Sequence, residues 1–318
     1  MSAAEVTRGE LAWLDGRYLP RADLALPVGD AGFVLGATVT EQLRTFDGRV
    51  FLPIDHARRL QASLDAVGIG PEVSCDELLA AAAKVAAHNQ KLATTTAGDR
   101  VPDVGVVIFV TPGDLAAQHG GRGGPARAAI HSFPLAFGMW ADAYDTGLAL
   151  RSVSVSQVPE TCWPLHAKVR SRLHYFLADR EAHAIEPGAR AVLAHADGRI
   201  SETSTANIAI VRERRVVTPP ASDALGGVSL ACTRRLATEA GIPWSERSLT
   251  RADLTSADEI LLTSTPNCIL PVTRFDGRPV GTGSPGPVFR TLLGAWSRLV
   301  GLDVAGQARA WAETAVLP

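Results

Sequence analysis

Only three of the 31 basic residues are lysines, Lys84, Lys91 and Lys168, so the setting of each lysine carries information. Lys84 and Lys91 share one face of an alanine-rich helical stretch and read as a solvated surface. Lys168 follows the proline-containing segment 158–165 and stands just before an apolar helical stretch. An amine at such a boundary can enter a cleft, where burial lowers its pKa and frees it to attack a carbonyl. Residue types alone leave an ordinary surface lysine as the plainer account. A second signal is Glu202, one carboxylate among the hydroxyls of Ser201, Thr203, Ser204 and Thr205. It reads either as a polar strand edge or as an acid facing a cationic heterocycle nitrogen. Gly226-Gly227-Val228-Ser229 opens a further helix. Glycines permit close backbone approach and helix N-terminal amides bind phosphate, although a short Gly-Gly is common. Thr263-Ser264-Thr265-Pro266 places hydroxyls at a strand end, and His56-Ala57-Arg58-Arg59-Leu60 sets two arginines on an early helix. One of these arginines reads as solvated, and the other can clamp a phosphate.

The elements that must position these residues follow from periodicity and turn chemistry. Asp15-Gly16 turns a first hairpin within 13–19, and Asp47-Gly48 turns a second between 37–46 and 49–54. Leu60, Leu64 and Val67 give residues 56–67 a helical period. Ser74 is the expected N-cap of a helix running to about Leu92. A polar loop follows over 93–103. The β-branched run 104–111 reads as a buried strand, 113–124 as a glycine-rich, mobile loop, and 126–133 as another strand. Farther on, 148–158 is strand-like, 170–184 helical, and 190–196 with 199–211 a hairpin turned at Asp197-Gly198. Residues 229–240 form a helix, 259–272 a strand pair interrupted at Pro266, and 285–300 the last long helix. Strands outnumber helices but mix with them, so the class is α+β (mixed α/β).

At 318 residues the chain is long enough for two domains and a core that needs no staples. Gly, Asp and aromatic residues break both periods across 134–147, which sets the expected division: an N-terminal α/β domain over 1–135, a linker over 136–147 and a C-terminal domain over 148–318. A formal net charge of -2 points to no nucleic acid. Cys75, Cys162, Cys232 and Cys268 are too far apart for a zinc knuckle or CxxC motif and read as lone thiols, so no metal is expected. The first residues lack the apolar run of a signal peptide, and no stretch reaches the roughly 18 apolar residues of a membrane span. The expected location is the cytoplasm.

Together these motifs resemble the class IV, or fold type IV, pyridoxal-phosphate enzymes, a group of branched-chain aminotransferases, D-amino-acid aminotransferases and aminodeoxychorismate lyases. The resemblance runs from about Trp13 to Trp296. Asp30-Ala31-Gly32-Phe33, Gly36 and Glu41 look like the opening strand motif. His56, Arg59 and Leu60 match a His-x-x-Arg-Leu motif. Lys168 and Glu202, 34 residues apart, with Asn207 beyond, look like the Lys–Glu pair. Gly227-Val228-Ser229 and Thr265, with Pro271-Val272 downstream, look like the two phosphate-binding turns. The resemblance implies a two-domain fold, with a small N-terminal α/β domain and a larger strand-rich C-terminal domain that binds pyridoxal 5'-phosphate. It implies that Lys168 holds the cofactor as a Schiff base and then shuttles the substrate proton, while Glu202 keeps the ring nitrogen protonated. Arg59, the Val228 and Ser229 amides, the Ser229 hydroxyl and Thr265 are implied to hold the phosphate, with Thr205 supporting the ring. It also implies a homodimer with the active site between the domains.

Departures from the family pattern fall on the substrate side, where Phe33, Thr40 and Arg172 are the candidate pocket residues. Branched-chain enzymes usually carry Asn-Tyr where this chain has Arg172-Leu173, a pair often shown by the lyases. The usual tyrosine is absent unless Arg172 or Tyr175 substitutes. Pro112 stands where the D-amino-acid enzymes place an arginine, and Thr40 replaces a common aromatic. The expected activity is amino transfer between an amino acid and a 2-oxo acid. The alternative is conversion of aminodeoxychorismate to 4-aminobenzoate and pyruvate. A non-catalytic scaffold is disfavoured because lysine, glutamate and phosphate ligands are retained together.

Overall fold

The computed structural model describes residues 9–97 and 102–314. Of these, residues up to Leu135, with Ala167–Ser171, form one compact unit. Ala136–His166 and the residues from Arg172 onward form the other. Residues 136–147, expected as a linker, belong to the second unit and include a short helix, Ala143–Thr146.

The first unit contains β1 (Leu11–Leu14), β2 (Arg17–Pro20), α1 (Ala31–Val34), β3 (Val39–Phe46) and β4 (Arg49–Val50). It continues with α2 (Pro53–Val67), α3 (Cys75–Ala97), β5 (Val104–Thr111) and β6 (Arg127–Pro134). Its six strands form a sheet of order β2-β1-β6-β5-β3-β4, antiparallel throughout. Asp15 and Gly16 both have positive φ, as a tight hairpin twisted with its strands requires. Residues 31–34, within the stretch that resembles the opening strand motif, make one helical turn, because the Asp30 side chain caps it by accepting from the Gly32 amide. The expected strand 49–54 stops at Val50. Leu52 turns into the left-handed region and Pro53 opens α2 with its φ already helical. Ser74 and Glu77 cap α3 reciprocally, and α3 continues to Ala97, past the expected end. Leu60 and Leu64 of α2, and Leu78, Ala82 and Val85 of α3, bury against Leu43, Val106, Ile108 and Ile130 of the sheet.

The second unit contains α4 (Ala143–Thr146), β7 (Leu148–Ser152), α5 (Leu173–Ile185), β8 (Arg190–Ala194), β9 (Ile200–Thr203), β10 (Asn207–Arg212) and β11 (Arg215–Thr218). After these come α6 (Val228–Glu239), β12 (Trp244–Glu246), α7 (Arg251–Thr255), β13 (Glu259–Ser264), β14 (Cys268–Phe275), β15 (Arg278–Pro279), α8 (Pro287–Val300) and α9 (Val304–Thr314). The sheet runs β12-β11-β10-β13-β14-β7-β8-β9, with β15 on β14. A pairing of β9 back onto β10, through Glu202 and Asn207, closes six of these strands into a ring. Ile208, Ile210, Leu262, Val272 and Phe275 form its apolar core. Pairing is parallel for β7 with β8 and β14, and antiparallel around the rest of the ring.

Three expected boundaries shift for local reasons. The strand from 148 ends at Ser152, and the chain beyond is held by single contacts such as Gln157 N–H to the Ala194 carbonyl. The helix expected from 170 starts at Leu173, because residues 167–171 are extended and belong to the first unit. The strand expected over 199–211 breaks at 204–206, where Thr203 Oγ1 accepts from the Ala206 amide and donates to the Ala206 carbonyl.

Candidate active site

In the first unit, Lys168 lies on the extended segment 167–171, which pairs along the start of β3. Its carbonyl accepts from the Thr40 amide at 2.9 Å, and Arg170 N–H donates to the Thr38 carbonyl at 3.0 Å. A bridge joins Val39 to Val169, and the Ser171 hydroxyl donates to the Gly36 carbonyl. The Lys168 amide donates to Ser63 Oγ at 3.1 Å, and that hydroxyl donates to the Arg59 carbonyl at 2.8 Å. Thus Ser63, one turn along α2 from Arg59, ties the arginine and lysine backbones together. The sequence carried no signal for Ser63. Lys168 itself is half-buried.

Arg59 is not a lone phosphate clamp. Its Nε and Nη2 donate to the two oxygens of Glu41 at 3.0 and 2.5 Å, and His56 Nδ1 lies 2.9 Å from Glu41 Oε1. Glu41 is 0 % exposed. Burial alone would raise its pKa, but the Arg59 charge, then His56, outweigh it and hold the carboxyl well below the ordinary range. Thr40 is buried with its hydroxyl donated to the Ile108 carbonyl, so the sheet uses its proton. Phe33 is 75 % exposed on α1.

In the second unit, Glu202 occupies the register pair that closes the ring and is 8 % exposed. Tyr175 Oη–H donates to its Oε1 at 2.7 Å and Asn207 Nδ2 donates to its Oε2 at 3.2 Å. The same Asn207 nitrogen donates to the Leu225 carbonyl at 2.7 Å, which links the carboxylate to the loop that opens α6. A Cβ on Gly227 would stand 1.8 Å from Asn207 Oδ1, so close approach requires this glycine, whereas Gly226 faces open space. Gly227 caps α6 without a side-chain bond. The first-turn amides of such a helix lack intrahelical acceptors and attract anions. Val228 and Ser229 sit there, both buried. Thr265 is half-buried just beyond β13, and Thr263 Oγ1 is a buried hydroxyl without a partner. Thr205 is exposed at the β9–β10 turn.

Arg172 precedes α5. Its guanidinium donates to the Ser204 carbonyl and stacks 4.5 Å over the Tyr175 ring. His174 lies against the same Tyr175 ring, with ring centroids 3.9 Å apart. Burial, then the Arg172 charge, bring the His174 pKa down to about 4, so its imidazole is neutral at neutral pH. Gln157 donates to Tyr175 Oη at 3.1 Å and to Ser201 Oγ at 3.0 Å. Gln157 lay in a stretch expected as strand, where nothing distinguished it.

These groups suit a phosphorylated pyridine: a fixed carboxylate for a cationic ring nitrogen, and a glycine-opened helix with spare amides and an unpartnered hydroxyl nearby for a phosphate. No group of His, Cys, Asp or Glu among the described residues could hold a metal.

The chain has the architecture of the fold type IV aminotransferases. The branched-chain amino acid aminotransferase of Escherichia coli matches it with a TM-score of 0.80 at 25% identity, covering 93% of this chain and 95% of that one. The branched-chain aminotransferase of Thermoproteus uzoniensis, solved with norvaline, matches at 0.77 and 26% identity, covering 93% and 95%. In sequence, the D-alanine aminotransferase of Bacillus licheniformis is 25% identical over 280 residues, 87% of this chain and 93% of its own. The model of the family "Amino-transferase class IV" matches residues 38–275, and the chain belongs to that family. It is a pyridoxal-phosphate-dependent transaminase. Its relatives support that activity and not the lyase alternative.

Proposed function

We propose that Lys168 is the amine that carries the cofactor and that Glu202 is the partner of its ring nitrogen. Amino transfer then runs between an amino acid and a 2-oxo acid. The carrying observation is the Glu202 carboxylate, held from both sides by Tyr175 and Asn207 beside the loop that opens α6. When bound, the cofactor supplies an electron sink for the carbanion left when the substrate Cα loses its proton. Lys168 moves that proton. The 167–171 segment keeps the lysine backbone in place through Thr38, Thr40, Ser63 and Gly36. Val228 and Ser229 of α6, with Thr265, hold the phosphate, and Arg59 adds its charge. Thr205 lies beside the ring, and Phe33, Thr40 and Arg172 line the substrate side.

The test is a screen of both enantiomers of alanine and of the branched-chain amino acids, with several 2-oxo acid acceptors, scored by release of the donor's own 2-oxo acid. Pyruvate formed only from aminodeoxychorismate overturns this reading. Lys168→Ala is expected to abolish turnover and the visible absorption of the covalently held cofactor, and unchanged turnover overturns the assignment of the amine.

The working assembly is proposed to be a homodimer. The support is an apolar stretch, Val28, Phe33 and Leu35, exposed by 77 %, 75 % and 63 %, more than a lone surface hydrophobe explains. Light scattering of the full chain tests it, and a fully active monomer overturns it. The compartment is proposed to be the cytoplasm, supported by cysteines that are few and widely spaced in the sequence. No helix among the described residues is long and apolar enough to cross a membrane.

A further inference from the structure

The Tyr175 hydroxyl stands in a hydrogen-bond chain whose direction is fixed along its length. The Gln157 side-chain oxygen accepts from the Val158 backbone N–H at 2.9 Å. A backbone amide can only donate, so the opposite end of the Gln157 amide is its nitrogen. That nitrogen donates to Tyr175 Oη and to Ser201 Oγ. The Gln157 backbone is itself anchored, its N–H donating to the Ala194 carbonyl of β8. The Tyr175 oxygen therefore accepts from Gln157, and its single proton goes to Glu202 Oε1 at 2.7 Å. Burial, then the neighbouring Glu202 charge, keep that hydroxyl protonated well above the usual range for a phenol. The ring contacts the Arg172 guanidinium at 4.5 Å and the His174 imidazole at 3.9 Å. The hydroxyl is held by Gln157 and Glu202, and the ring by these two contacts.

A carboxylate has roughly four lone-pair sites on its two oxygens. Tyr175 and Asn207 each take one, on opposite oxygens, which sets both the rotation of the Glu202 carboxylate and the lone pairs it presents elsewhere. We propose that Tyr175, oriented by Gln157, is a positioning residue that aims the Glu202 carboxylate at the ring nitrogen of the cofactor. Tyr175 touches neither substrate nor reacting atoms in this role; it acts through Glu202. The proposal rests on the reading of Glu202 as the ring-nitrogen partner, and the experiment separates the two.

Apo-protein of the full-length chain is titrated with pyridoxal phosphate and with an analogue that has carbon in place of the ring nitrogen. Tyr175→Phe removes one oxygen and keeps the ring in its stack. It is expected to weaken binding of pyridoxal phosphate about tenfold, the scale of one hydrogen bond to a charged group. Binding of the analogue stays within about twofold. In the loaded enzyme kcat falls about tenfold while KM for the amino acid moves less than about twofold. Gln157→Met leaves the tyrosine in place and is expected to give a smaller loss, about threefold, again only for the ligand that has the nitrogen. Equal losses for both ligands, or no loss in either variant, overturn the proposal, because a merely structural role does not distinguish the ring atom. Glu202→Gln is the control. If it keeps the preference for the nitrogen-containing ligand, Glu202 is not its partner and both readings fall. If it loses that preference while Tyr175→Phe retains it, Glu202 stands and Tyr175 falls.

Discussion

Arg59 shows how a residue singled out by a motif acquires a second task in the structure. A phosphate clamp predicts that Arg59→Ala mainly weakens cofactor retention. Yet the guanidinium also neutralises Glu41, which is fully buried and is held, among the described residues, by Arg59 and His56. Removing one partner of a buried pair strands the other charge, at a cost of ~3–5 kcal/mol. Arg59→Ala is therefore expected to lower the unfolding free energy of the apo-protein, measured by denaturant titration, by that amount before any cofactor is added. Arg59→Lys restores little, because an ammonium cannot donate through both Nε and Nη2. An unfolding free energy within about 0.5 kcal/mol of wild type, the usual range for surface changes, refutes this. The pH dependence has a definite sign. The folded carboxyl lies below its unfolded value, so the native state binds fewer protons there than the unfolded chain. Its stabilisation is complete above the unfolded carboxylate pKa of about 4.3 and is lost as pH falls below that. Wild type is expected to lose stability more steeply than Glu41→Gln on acidification below about pH 4.3, as measured by urea melts at stepped pH.

At the scale of elements, the pairing of Gly226 with Gly227 permits a sharp contrast. A Cβ at Gly226 meets nothing within 4 Å, whereas one at Gly227 collides with Asn207 Oδ1. Asn207 is the amide that joins Glu202 to the carbonyl of Leu225. Gly227→Ala is expected to push Asn207 off both partners and weaken cofactor binding at least tenfold, about 1.4 kcal/mol or more. Gly226→Ala is expected to change it less than twofold. Equal effects in an apo-protein titration sink this account. The Gly-Gly was legible in the sequence as a close approach, but which glycine was needed depends on a side chain from another strand. The same divide runs through the fold. The β-branched run 104–111 and the Ser74 cap announced their elements, because both signals are local. The helical turn at Ala31–Val34, the early stop of β7 and the break between β9 and β10 were set by Asp30, by missing sheet partners and by Thr203. Lys168, Glu202 and Arg59 stood out by type and spacing. Ser63, Gln157 and the Glu41–Arg59 pair did not, because their meaning lies in contacts across 105, 18 and 18 residues of chain.

For the molecule as a whole, the proposed ring-nitrogen partner coincides with the weakest seam of the second unit's sheet. The strands β10, β13, β14, β7, β8 and β9 are joined in that order by ladders of two or more register pairs, with a register shift where β14 meets β7 and where β8 meets β9, whereas β9 meets β10 through one pair alone, Glu202 with Asn207. A closure resting on one pair opens more readily than a ladder, and local opening free energies follow the local density of such contacts. A ligand that engages Glu202 and the α6 N-terminus binds the closed ring and not the open one, so it must shift that equilibrium toward closure. At a free concentration 1,000-fold above Kd the stabilisation is about 4 kcal/mol. Pyridoxal phosphate is therefore expected to raise the unfolding midpoint of the full chain. It is also expected to slow amide exchange in β9 and β10 more than in the β5–β6 ladder of the first unit, measured with and without cofactor by hydrogen exchange and mass spectrometry. Glu202→Gln should blunt the protection at β9 and β10 while leaving β5 and β6 as they were. Uniform protection across both units, or none at the seam, would mean that the ring closes without regard to what Glu202 holds.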